Sequence, residues 1–108
     1  MATQGMITIT QDSRVVMKII TGHDGYKVEE VARAIRDLRT VPTLEEAYDT
    51  AFKRNFGSTR SLVVLKKDGF LFKGDDDLDP RYFETFDQPQ FNPRWKLGTV
   101  DYYELIEL

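Results

Sequence analysis

With 108 residues, 41% of them hydrophobic and 31% charged, the chain has the size and composition of one globular domain and too many apolar residues for intrinsic disorder. The absence of cysteine excludes disulfides, thiolate metal sites and a cysteine nucleophile, and suits a reducing cytoplasm. A net charge of −3 argues against a nucleic-acid binder, and no apolar run approaches the roughly 18 residues of a membrane span.

Residues 1–5 lack the basic and apolar regions of a signal peptide, and Met6 offers a second start that would make them dispensable. Met6-Ile7-Thr8-Ile9-Thr10 alternates with period two, so a strand is expected with Ile7 and Ile9 inward. Gln11-Asp12-Ser13 breaks it, and residues 14–20 form a second strand joined by a hairpin. Val15, Met17 and Ile19 make one face of that strand. Val16 and Ile20 make the other face apolar as well, which marks a strand covered on both sides and central in its sheet.

Residues 21–25 form a loop containing Gly22 and Gly25, and a helix is expected over 26–38. Val28, Val31, Ala32, Ile35 and Leu38 fall on its apolar face, and Glu29 to Arg33 is a favourable i,i+4 pair. A second helix begins at a capping box, Thr43-Leu44-Glu45-Glu46, and carries Leu44, Ala47, Tyr48, Ala51 and Phe52 as its stripe before stopping at Gly57. Leu62-Val63-Val64-Leu65 reads as a strand buried on both faces. Lys66-Lys67-Asp68-Gly69 turns it into a partner strand at Phe70-Leu71-Phe72.

At Gly74-Asp75-Asp76-Asp77-Leu78-Asp79-Pro80 the charge balance reverses. Residues 1–73 hold 12 Lys/Arg against 9 Asp/Glu, whereas residues 74–108 hold 3 against 9. Asp79 and Pro80 suit the cap and first position of a short helix. Residues 87–98 are irregular, and residues 99–108 close the chain as a strand. The whole is one domain over 1–108. The expected fold is α+β, a two-layer, largely antiparallel sheet of about five strands with two helices on one face, in the order β-β-α-α-β-β-short α-β.

Four places are candidates for chemistry. His23, the only histidine, sits beside Asp24 in a glycine-flanked loop, where it would serve as a general base. A tight turn with Asp24 bonding to nearby amides explains the same residues without a function. Asp75, Asp77 and Asp79 copy the first acidic positions of a calcium loop. Pro80 and Phe86 stand where that loop needs glycine and a bidentate glutamate, so a solvated loop is expected and no metal or other cofactor. Phe91, Arg94 and Trp95 resemble a binding surface, but the favoured expectation is that Phe86, Phe91 and Trp95 pin a long loop to the sheet. Arg33, Arg36 and Arg39 share one helical flank, but nearby carboxylates cancel most of their field. No phosphate loop, zinc-helix motif or nucleophile elbow occurs.

The segment Ile19-Ile20-Thr21-Gly22-His23-Asp24-Gly25-Tyr26 resembles a class of small uncharacterised bacterial and phage proteins in which a strand runs into Asp-Gly-Tyr and then a helix. The likeness covers about the first 40 residues. Those relatives usually follow the tyrosine with proline, where this chain has Lys27. The resemblance implies a bacterial or mobile-element origin, no known activity and no transferable site residues.

The leading expectation is a cytoplasmic, non-enzymatic interaction module that binds another protein or itself. Its binding face would use Asp75, Asp76, Asp77, Arg94 and Trp95, with the terminal strand as an edge that can pair across a two-fold axis. A hydrolase or nuclease-like enzyme built from His23, Asp24 and the 75–79 cluster is the competing class, and an acidic mimic of nucleic acid is the third.

Overall fold

The structure is a computed structural model, described here for residues 5–21, 25–53, 61–74, 86–87 and 102–108. Strand β1 (Gly5–Gln11) and strand β2 (Arg14–Thr21) form the first hairpin. A 3-10 turn, Gly25–Lys27, leads into α1 (Val28–Asp37), and α2 (Leu44–Lys53) follows. Strands β3 (Ser61–Lys66), β4 (Gly69–Gly74) and β5 (Tyr102–Glu107) complete one mixed five-stranded sheet in the order β4-β3-β2-β1-β5. The short helix expected after Asp79 and the stop at Gly57 lie outside the described residues.

Local chemistry accounts for the elements. Asp12 and Ser13, the two residues between β1 and β2, both have positive φ, 53° and 65°. A two-residue turn of that hand matches the twist of the strands it joins, and a short polar side chain such as aspartate tolerates it. The capping box at α2 forms in both directions. The Glu46 N–H donates to Thr43 Oγ1 at 3.1 Å, and the Thr43 N–H donates to Glu46 Oε1 at 3.0 Å. The Thr43 backbone N–H first, and the Thr43 hydroxyl after it, hold the Glu46 carboxyl below its usual range. At α1, Arg33 Nη2 reaches Glu29 Oε1 at 3.4 Å.

Three pairings are antiparallel, β1–β2, β2–β3 and β3–β4, while β5 joins β1 in parallel. Ile7, Ile9, Met17, Ile19, Leu62, Val64 and Ile106 face the helices and meet Val28, Val31, Ala32, Ile35, Ala47 and Ala51. Leu38, expected on that apolar face, instead caps α1 and is exposed. Phe52 is likewise exposed and stacks on Tyr48 at 6.2 Å between ring centres.

The opposite face is also buried. Met6, Ile20, Val63 and Leu65 pack there with Phe86, and Thr8, Thr10 and Lys18 are buried in the sheet as well. Phe86, one of the three expected anchors, is buried on this face, while Phe91 and Trp95 lie outside the described residues. One strand face needs correcting. Val15 packs on the Phe86 side and Val16 on the helix side, because an irregularity between Ile9 and Thr10 shifts the register and reverses the alternation at the start of β2.

Of residues 1–5, Gly5 belongs to the sheet. It pairs with both Thr21 and Tyr102, and a Cβ placed on it would lie 2.5 Å from Val28 Cγ1 and 2.9 Å from the Gly25 Cα. Backbone cannot step aside as a side-chain tip can. Gly5→Ala should therefore destabilise the fold by about 1–3 kcal/mol, the usual cost of overpacking. Gly69→Ala is the control, since its Cβ meets only Leu44 Cδ1 at an ordinary 3.5 Å. Urea denaturation of both variants reads the difference; equal loss at the two sites would refute the close approach.

Candidate interaction surface

The residues singled out for partner binding, Asp75, Asp76, Asp77, Arg94 and Trp95, lie outside the described residues, and so do His23, Asp24 and Asp79. The structure neither brings them together nor separates them. Among the described residues, no group of three or more His, Cys, Asp or Glu side chains could hold a metal ion. Among the same residues, no helix is long and apolar enough to cross a membrane.

The described surface has its most definite geometry along β5. The strand is outermost in the sheet among the described strands, beside β1. The Leu108 N–H donates to the Thr10 carbonyl at 2.8 Å. Because peptide groups alternate along a strand, those of Tyr102, Glu104 and Ile106 also face β1, and those of Leu105 and Glu107 face away from it. Side chains alternate with the same period across the two faces. Ile106 lies in the helix-side core, which puts Tyr102 and Glu104 on that side and Leu105 and Glu107 on the other. Tyr102 and Leu108, at the two ends, are 45% and 39% exposed.

Helix α1 reaches this edge. Arg36 Nη2 donates to the Leu105 carbonyl at 3.0 Å and to Glu104 Oε2 at 3.3 Å. The outward carbonyl at the middle of the edge is thus held by a guanidinium. In the sequence, Arg36 was one of three evenly spaced arginines. In the fold, Arg33 pairs within its own helix, Arg36 turns to β5, and exposed Arg39 takes a positive φ of 61° just past the end of α1. No common phosphate-binding row forms.

Two other features stand near the sheet. The tips of the two hairpins border an open hollow of about 820 Å³ lined by three cations, Arg14, Lys66 and Lys67, and two carboxylates, Asp68 and Asp87. That mixture selects for neither sign of ligand. Lys18 is the more unusual group. It sits at the centre of β2, 1% exposed, between Thr8 on β1 and Leu65 on β3. Burial lowers its ammonium from 10.5 to about 8, opposed by the charge of Asp87. Sequence reading passed over this residue. The signal was available: a lysine inside a run expected to be central, with apolar neighbours on both faces.

Comparison with known proteins finds no matching family model, no matching curated protein and no matching solved structure.

Lys18 gives a pH prediction with a definite sign. A lysine whose folded value falls below its unfolded one binds fewer protons in the native state, so its penalty is full below pH 8. The penalty is relieved as pH rises from about 8 towards 10.5, by at most about 1.4 kcal/mol per pH unit. Lys18→Met should be as stable as the wild type or more so at pH 7, with the gap narrowing between pH 8 and 10. Thermal melts of both proteins across that range test it. A variant that loses stability at pH 7 would mean that the ammonium contributes more than its burial costs.

Proposed function

We propose that the chain is a small cytoplasmic protein-interaction module without catalytic activity, which receives an extended segment of its partner along the outer side of β5. The observation that carries the reading is the outward row of peptide groups on the outermost described strand, bracketed by the exposed side chains of Tyr102 and Leu108. Strand addition draws its affinity from main-chain hydrogen bonds and its specificity from side chains at alternate positions, and β5 presents both. Asp75, Asp76, Asp77, Arg94 and Trp95 belong to the proposal as sequence features: the aspartates suit a basic partner, and Arg94 and Trp95 are residue types that binding surfaces favour. The likeness around Asp24-Gly25-Tyr26 adds a bacterial or phage origin to it.

A proline at position 105 tests the reading sharply. The Leu105 N–H faces away from β1, so Leu105→Pro removes an outward donor and leaves the β1–β5 ladder intact, as proline on a sheet edge allows. The variant should keep its circular dichroism spectrum and melt within a few degrees of the wild type. Cross-linking in cells of the source organism should then recover a partner with the wild-type chain and about tenfold less of it with the variant. Equal recovery with a correctly folded variant would end the reading.

A further inference from the structure

A strand edge able to receive a partner is equally open to another copy of itself, and that hazard is met by charge or by cover. The geometry of β5 makes the self-pairing specific. A second copy running antiparallel about a two-fold axis at Leu105 sets the exposed Tyr102 opposite the exposed Leu108 of the second copy, and the reverse. Glu104 then meets Ile106, and Leu105 meets Leu105. The central pair would exchange two hydrogen bonds, each using a Leu105 N–H and a Leu105 carbonyl. That carbonyl is the one Arg36 already occupies at 3.0 Å.

We infer that Arg36 is a guard on the β5 edge, which keeps the chain from pairing β5 to β5 with a second copy and leaves the edge to other partners. The inference rests on the docking edge proposed above. Two effects act together. The guanidinium sits in the path of the incoming strand, held on one side by the Leu105 carbonyl and on the other by Glu104 Oε2 at 3.3 Å. In the symmetric pair it would also meet its own copy across the axis, because a two-fold axis normal to the sheet keeps both α1 helices on one face. Each copy brings its Glu104 carboxylate to the same place, so charge adds little, and both guanidiniums must leave their carbonyls together. A partner strand of another sequence faces the first effect alone, and an acidic side chain on it could draw Arg36 away from the carbonyl.

Sedimentation velocity over a concentration series tests the guard. The wild type should be monomeric, and so should Glu104→Gln, which leaves Arg36 on the Leu105 carbonyl. Arg36→Met keeps the aliphatic stem but loses the donors and the charge. It should dimerise at least about tenfold more tightly than the wild type. Arg36→Met combined with Leu105→Pro should return to monomer. Should Arg36→Met fail to fold, Arg36→Lys supplies the test: it preserves the charge but not the forked donor, and should self-associate between the two extremes. A wild-type dimer, a folded Arg36→Met or Arg36→Lys that stays monomeric, or a dimer indifferent to Leu105→Pro would each overturn the guard. None of these results depends on recovering a heterologous partner, so the guard and the docking reading fail separately.

Discussion

The fold depends on a backbone-to-backbone approach at one corner of the sheet, where β1 begins at Gly5 and the 3-10 turn ahead of α1 begins at Gly25. Gly5 has no room for a side chain, since even a methyl group there would stand 2.9 Å from the Gly25 Cα. That closeness lowers the start of α1 onto β1 and lets Val28 reach the core in the first helical turn. The axial position of everything further along α1 follows. Eight residues beyond Val28, at about 1.5 Å each, raise Arg36 roughly 12 Å above that corner. Leu105, three residues along β5 from the partner of Gly5, stands about 10 Å up the strand. Helix and strand rise together, and the guanidinium arrives at the carbonyl.

A sheet buried on both faces is the second constraint. Two helices cover one side, and Phe86 packs on Met6, Ile20, Val63 and Leu65 on the other. Within that second face, Thr8, Thr10 and Lys18 lie among apolar groups. Thr10 Oγ1 has the Ile106 carbonyl within 3.5 Å, and no buried side-chain polar atom among the described residues is left without a partner. Threonines suit such a surface because the β-branched stem packs on the pleat while the hydroxyl satisfies itself locally. Lysine does so at greater cost, which is why its ammonium titrates far below the usual value.

Much of this architecture was legible in the residues, and the divide between what was and what was not is physical. The capping box at Thr43 and Glu46, the Glu29–Arg33 pair and the unbroken run from Leu62 to Leu65 are local, so spacing alone determines them. The hairpins follow from two-residue turns for the same reason. The parallel seat of β5 beside β1 is different, because alternation identifies a strand without naming its neighbour. A long connection from β4 leaves several edges within reach. The reversed faces of Val15 and Val16 were hidden too, since a one-residue irregularity changes the side of every residue beyond it. Arg36 looked like one member of an even row of arginines. Its partner lies 68 residues away, where no periodicity reaches.

Magnitudes decide what the Arg36 contact is for. Its side chain is 45% exposed and that of Glu104 27% exposed, so the ion pair is screened and contributes well under about 1 kcal/mol to stability. A reciprocal capping box or the removal of a single buried methyl group outweighs it. The contact is therefore a weak reason for the fold and a strong constraint on what the fold can join. Replacing a guanidinium at an edge carbonyl with another strand's N–H exchanges one hydrogen bond for another, at little net change within a single site. Across a two-fold axis the exchange must be made twice, at two carbonyls side by side. Symmetry thus doubles a small local cost for the second copy, while a partner of different sequence meets it once.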